Sequence, residues 1–279
     1  MKRFALILIA AIVLPFSVLA QHQTDSLTFA NADWHWQKLS KGAVAGYAQM
    51  NIFGGIQNVS VIRYPARRYE TSVEMRVGKM ALPTSALAEE LDALLAVNGS
   101  YFNMKELTNM TFCAIDGNIV SETDDSEKFR CNGAVMTDGH KVVIDFCDSL
   151  QLIDAAGKYA SVLSSGPIVL KDGIRPYYEN PDKVIFLDRH PRTVMGLDGK
   201  GNVYMAVIDG RSPGQADGTS IAETGLIARW LGMETAINLD GGGSSEIWSS
   251  TTGTINHPSD NKKWDHKGSR TVPNIIIAW

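Results

Sequence analysis

A chain of 279 residues with 44% hydrophobic and 20% charged residues can bury a substantial core in one large domain or two small ones. Its net charge of −4 argues against the nonspecific attraction to nucleic acid or anionic membrane that a basic chain would carry.

The N-terminus, Met1-Lys2-Arg3 followed by an apolar run from Phe4 to Pro15 and then Val18-Leu19-Ala20, has the three parts of a cleavable secretory leader over 1–20. Its removal takes away Lys2 and Arg3 and leaves a mature chain of net charge −6 beginning at Gln21. No later stretch approaches the roughly 18 to 20 apolar residues of a membrane span, so the expectation is a soluble protein exported to the periplasm or the medium. Residues 21 to about 40 are polar, carry Trp34 and Trp36 without periodicity, and read as a strap leading onto the domain.

From there strand signals dominate. Val59 to Tyr64 and Thr71 to Val77 alternate with period two, as half-buried strands do. Asp116-Gly117, Asp138-Gly139, Asp172-Gly173 and Asp198-Gly199 each separate two apolar runs, and Asp-Gly favours the type I′ hairpin turn. Two helices are expected. Ser85 to Leu95 places Leu87, Leu91, Leu94 and Leu95 on one stripe, and Ser220 to Leu231 ends at Gly232. Each is followed by a short apolar run and a Gly/Ser loop, Asn98-Gly99-Ser100 in one case and Asp240-Gly241-Gly242 in the other, which suggests two similar units pointing their loops at one cleft. The expected fold is α+β, a mostly antiparallel or mixed sheet with a few packed helices in a single main domain over 80–279, preceded by leader and strands over 21–79. Cys113, Cys131 and Cys147 read as structural, and an oxidising compartment would let two of them pair.

The residues suited to chemistry gather at loops after apolar runs. Asp240-Gly241-Gly242-Gly243-Ser244-Ser245-Glu246 combines a carboxylate, backbone free to approach a ligand and two hydroxyls. Asp209-Gly210-Arg211 ends the run Val203 to Ile208, and Arg192, which opens another, has the planar fork that suits a phosphate. Glu223 matches the S-x-x-E capping box from Ser220, which would explain it without function, yet a carboxylate at a helix N-terminus behind a Gly-rich loop could also serve a site. Asn98, Tyr101 and Phe102 offer an amide, a phenol and an aromatic face to a sugar. No His or Cys pair has metal-ligand spacing. Hard oxygen donors would suit a divalent cation such as calcium, but no pattern identifies one. The serine-hydrolase elbow, the P-loop and the dinucleotide fingerprint are absent.

Taken together, Asn98-Gly99-Ser100-Tyr101-Phe102, Ser165-Gly166-Pro167, Pro191-Arg192-Thr193, Asp209-Gly210-Arg211, Glu223 and Asn238-Leu239-Asp240-Gly241-Gly242-Gly243-Ser244-Ser245 resemble the phosphodiester glycosidase family, in the family's order, from about Leu82 to Trp279. The resemblance implies a hydrolase that cleaves a sugar-1-phosphodiester, such as one of N-acetylglucosamine, at the anomeric C–O bond, with no cofactor and a phosphate-linked glycan as substrate. It implies Asp209, Glu223 and Asp240 as candidate catalytic carboxylates. Substrate binding would fall to Asn98, Tyr101, Arg192, Arg211, Gly241, Gly242, Gly243, Ser244 and Ser245. A non-catalytic glycan-binding protein of the envelope and a phosphodiesterase cutting the P–O bond are the competing expectations.

Overall fold

The computed structural model describes residues 23–176, 178 and 183–279, so the expected leader over 1–20 lies outside the described residues. Its frame is a seven-stranded antiparallel sheet in the order His35–Lys38, Val44–Ile52, Gly55–Pro65, Asn202–Ile208, Arg192–Leu197, Thr235–Asn238, Ile168–Leu170. The expected strand over Val59 to Tyr64 therefore runs longer at both ends. It pairs with Asn202–Ile208 in the register Val59 to Ile208 and Tyr64 to Val203, which makes residues before 80 integral to the sheet that carries the C-terminal motifs.

Two five-stranded antiparallel sheets pack beside this frame. One runs Asn118–Ser121, Cys113–Ile115, Ser161–Ser165, Gly133–Thr137, Val142–Phe146. The other runs Gly253–Thr254, Ile247–Ser249, Leu95–Asn98, Asn274–Ala278, Thr71–Met75. All three turn one face inward. Ile62 and Met205 from the first sheet, Val135 and Leu163 from the second, and Val97 and Ile276 from the third share one core cluster, each fully buried. At about 1.5–3 kcal/mol for each large apolar side chain removed from water, this shared core is what holds the sheets against one another. Each outer face is closed by a helix: Ile221–Trp230 over the seven-stranded sheet, Ser149–Ala156 over the second and Thr84–Glu90 over the third. Covering both faces makes the central strands near-continuous apolar runs, as in Val203 to Ile208 and Ile275 to Ala278. The architecture is thus α+β, one domain of antiparallel sheets with a few packed helices.

Local signals fare differently. Asp116-Gly117 and Asp172-Gly173 have positive φ at both residues, the type I′ signature, whereas at Asp138-Gly139 only the glycine does. After Leu197 the positive φ falls on Gly201 instead, in a longer loop held by the Asp198 carboxylate. The first helix stops at Glu90, short of the expected Leu95, because Asp92 turns to φ 53° and Leu95 already belongs to a strand. Residues 23–30 are helical, which their lack of periodicity hid. Phe29 from this helix packs on Trp34 and Trp230, and the strap continues as the edge strand His35–Lys38. All three cysteines are free thiols, in contrast to the expected pairing.

Candidate active site

The two Gly/Ser loops belong to different sheets and interlock where those sheets meet. Asp240 N donates to the Gly99 carbonyl at 2.9 Å, and Asn98 Nδ2 donates to the Asp240 carbonyl at 2.7 Å. The Asn98 Oδ1 accepts from Thr193 Oγ1 at 2.8 Å and from Glu246 N at 3.1 Å, so one buried amide ties three segments together. Asn98 is thereby committed to positioning and does not line the cavity that the loops enclose.

That cavity, of about 460 Å³, is lined by four guanidinium groups, Arg130, Arg192, Arg211 and Arg270, by His190 and Tyr101, and by a single carboxylate among the described residues, Asp240. Arg192 is the most deeply set, 4% exposed. It opens a strand, so its side chain leaves the sheet edge inward. Nε donates to the Thr219 carbonyl at 2.9 Å, and Nη2 donates to the Ile185 and Asp188 carbonyls at 2.8 and 2.9 Å. Among the described residues no carboxylate pairs with it, and burial lowers its pKa to about 10. A buried cation held only by carbonyl dipoles is poised for an incoming anion.

Arg211 lines the same cavity. Its own backbone is left-handed at φ 59°, and Gly242, at φ 64°, lets it pass: a Cβ there would stand 2.9 Å from Arg211 Nη1. A Cβ on Gly241 would lie 2.5 Å from the Pro191 carbonyl oxygen, so both glycines are required by close approach. Burial and then the neighbouring Arg270 lower the Arg211 pKa. Arg130 stacks over the Tyr101 ring at 3.6 Å and pairs with Glu127, while Arg270 pairs with Asp260 at 2.5 Å. The Tyr101 hydroxyl donates to the Gly166 carbonyl at 2.5 Å and accepts from Asn238 Nδ2 at 2.9 Å, so this phenol is fixed as a wall of the cavity. His190 is pushed below its ordinary pKa by burial and by Arg192 and Arg211, which keeps the imidazole neutral at pH 7.

Asp240 sits half-buried where its strand ends. Burial raises its pKa, opposed by the Ser244 side chain, Arg130, the Gly241 amide and Arg270. Gly243 is packed against Asp260 and Arg270 and, like Ser245, does not line the cavity; the Ser245 hydroxyl lies 3.1 Å from Thr193 Oγ1, whose one proton goes to Asn98 Oδ1, and so donates to it. Ser244 is buried behind Asp240.

The other two candidate carboxylates lie outside the cavity. Asp209 is 1% exposed and accepts from Asn58 Nδ2 at 2.6 Å, Asn256 Nδ2 at 3.0 Å and the His257 amide at 3.0 Å. Asn256 Nδ2 also donates to the Ser245 carbonyl at 3.0 Å, so Asp209 buttresses the glycine loop from behind. Glu223 completes the capping box with Ser220 and takes the Arg189 side chain at 2.6 Å and 3.1 Å. Glu246 is buried and caps the other helix, accepting from Ser85 N at 3.2 Å. Among the described residues no three His, Cys, Asp or Glu side chains stand close enough to share a metal ion. Arg130, His190 and Arg270 went unread in the sequence; only the His-Pro-Arg juxtaposition at 190–192 offered a signal for any of them.

A family model described as phosphodiester glycosidase matches residues 92–279. No protein of curated function matches the chain in sequence. Among solved structures, the chain is similar in fold to a hypothetical protein from Synechocystis, at 14% identity and TM-score 0.67, covering 88% of this chain and 63% of that one. It is similar to the catalytic domain of zebrafish N-acetylglucosamine-1-phosphodiester alpha-N-acetylglucosaminidase, auto-inhibited by its pro-peptide, at 19% identity and TM-score 0.66, covering 88% and 87%. A protein of Burkholderia pseudomallei matches at 16% identity and TM-score 0.57, covering 81% and 74%.

Proposed function

The chain belongs to the phosphodiester glycosidase family, and from that premise we propose that it hydrolyses a sugar-1-phosphodiester in the arginine-lined cavity, with Asp240 as the reacting carboxylate. One observation carries the reading: among the described residues a lone carboxylate lines the cavity together with Arg192 and Arg211, two guanidiniums that form no ion pair there. In this reading the phosphodiester anion lies between these two arginines and the anomeric carbon lies over Asp240. The C1–O bond breaks, the electron pair leaves with the phosphate, and water supplies the new C1 hydroxyl.

The leaving phosphomonoester is a weak base, so it departs without a proton donor, and its growing charge is met by guanidiniums already in place. Ionised Asp240 serves the anomeric centre, either activating water or bearing the oxocarbenium charge. Tyr101 and Arg130 give the sugar a wall with an apolar edge and N–H donors. Asp209, Glu223, Asn98 and Ser245 act by holding the loops. By analogy with the zebrafish relative, the sugar we propose is N-acetylglucosamine. Export is part of the proposal: residues 1–20 read as a cleavable leader, and the Burkholderia neighbour is described as exported.

The test is hydrolysis of a synthetic N-acetylglucosamine-1-phosphodiester in ¹⁸O water. Label in the free sugar supports C–O cleavage. Label in the phosphate would instead mean P–O attack, and binding without turnover would mean a glycan-binding protein.

A further inference from the structure

We propose that a second, basic groove at the far end of the seven-stranded sheet binds a multiply charged anionic glycan. Arg192 stands at one end of the strand Arg192–Leu197, and the turn after Leu197 stands at the other, roughly 20 Å away at 3.3 Å per residue. There a groove of about 390 Å³ is lined by Arg67, His140, Lys141 and Lys200 and by no acidic side chain.

Three separate loops bring these side chains together, joined by one backbone and one side-chain hydrogen bond with a turn between them. Ala66 N donates to the Gly201 carbonyl at 3.0 Å, Tyr69 N donates to the Ala66 carbonyl at 3.1 Å, and His140 Nδ1 donates to the Tyr69 carbonyl at 2.7 Å. The last bond fixes the proton of a neutral His140 on Nδ1 and leaves Nε2 as an acceptor for a sugar hydroxyl, so the anion falls to Arg67, Lys141 and Lys200. The cations are therefore held as a set, and Arg67, Lys141 and Lys200 form no ion pair among the described residues.

Asp198, two residues before Lys200, is engaged, and Glu234 packs against Gly199 outside the lining. The Asp198 carboxylate accepts from Lys200 N and Asn202 N at 2.9 Å, from Asn202 Nδ2 at 2.8 Å and from the Tyr204 hydroxyl at 3.1 Å. Glu70 and Asp138 lie on neighbouring turns outside the lining. A concentration of unpaired cations is notable on a chain whose overall charge is negative, because the mean field opposes it.

The concave shape and the absence of exposed large apolar residues from the lining favour a hydrated polyanion over a bilayer, which would call for apolar side chains to insert. Three unpaired cations need more than one charge to neutralise them, so the ligand carries several phosphate or carboxylate groups.

The experiment compares the full mature chain with the triple variant Arg67→Glu, Lys141→Glu, Lys200→Glu. All three residues are exposed, so the variant should keep the wild-type melting temperature within a few degrees. Low-mass dextran phosphate is titrated into ¹⁵N-labelled protein. The expected result is amide shifts at Arg67, Lys141 and Gly201 in the wild type, an affinity at least tenfold weaker in the variant, and a wild-type affinity that falls as salt is raised. Equal affinities, or shifts confined to Arg192 and Arg211, overturn the proposal. So does binding to phosphatidylglycerol vesicles without binding to dextran phosphate. Turnover of a small sugar-1-phosphodiester, measured alongside, should be equal in the two proteins. If neither turns it over, the proposed activity fails while the groove is still judged by the titration.

Discussion

Asn98 and Asp240 clasp each other through one side chain and two backbones: Asn98 Nδ2 donates to the Asp240 carbonyl at 2.7 Å, and the amide of Asp240 donates to the carbonyl of Gly99. The position of the reacting carboxylate is thus set from a different sheet. Asn98→Ala removes this donor and the acceptor for Thr193 and Glu246 N. Leaving buried groups unpaired should cost about 3 kcal/mol in unfolding free energy. A carboxylate displaced by even ~1 Å should lose about 10²-fold in kcat with a smaller change in KM. Denaturant unfolding and steady-state kinetics read the two effects separately.

Asp209 presents the opposite case, a carboxylate that accepts at least three N–H donors and does not line the arginine cavity. Asp209→Asn turns an acceptor-only group into one with an NH₂ that must face Asn58 or Asn256. The expected loss is about 3 kcal/mol, or roughly 6–12 °C in Tm for a protein of this size. Well below the melting range, kcat should stay within about tenfold of wild type, since Asp209 acts only through Asn256 and the Ser245 carbonyl. A fall beyond a thousandfold with unchanged Tm would return Asp209 to the reacting groups.

These two residues mark where the sequence was legible and where it was not. The strands at Val59 to Tyr64 and Thr71 to Met75, the Ser220 capping box and the loops after Asn98 and Asn238 were readable, because each is set by neighbours in sequence. Val59 to Ile62 are nonetheless buried on both faces rather than alternating. That Asp209 ends a strand was readable too. Which side of the sheet its carboxylate takes depends on Asn58, Asn256 and His257, which sequence alone does not bring near. Arg130 and Arg270 enter the cavity from turns whose local text resembles any solvated loop. Only the packing of three sheets around one core brings them to Asp240.

Glu223→Gln should separate capping from catalysis. Gln preserves the reciprocal cap to the Ser220 amide and weakens only the ion pair with Arg189, whose side chains are 19% and 32% exposed. The expected cost is about 1 kcal/mol in stability with kcat near wild type. Chemical denaturation and turnover of the phosphodiester check it.

Arg192 carries a buried charge that only an anion can compensate, so phosphate or a phosphomonoester should stabilise the protein. At a hundred times Kd the gain is about 2.7 kcal/mol, or roughly 5–10 °C in Tm. Arg192→Met should abolish most of that shift. It should also lower kcat/KM far more for charged diesters than for neutral aryl glycosides. Equal losses on both substrates would contradict a phosphate role for this residue.

Asp240 ties activity to pH and to stability in opposite directions. Burial holds its carboxyl protonated to a higher pH than an ordinary aspartate, and Ser244, Arg130, the Gly241 amide and Arg270 offset this only in part. Because the ionised form is the reactive one, kcat/KM should rise with pH through the raised pKa of the free enzyme and level off above it. For stability, the folded state binds this proton more tightly than the unfolded chain. The contribution is therefore full below the unfolded pKa and is lost as pH climbs from there through the folded pKa. At neutral pH the wild type bears the cost of an ionised, half-buried carboxylate, which Asp240→Asn escapes. The variant should be inactive and yet melt above wild type at pH 7, with the difference shrinking as pH falls through the raised pKa and levelling off below the ordinary aspartate range. Melting curves of both proteins between pH 3 and 7 measure this directly, and a variant less stable than wild type at pH 7 would show that Asp240 is held by its partners more firmly than burial opposes it.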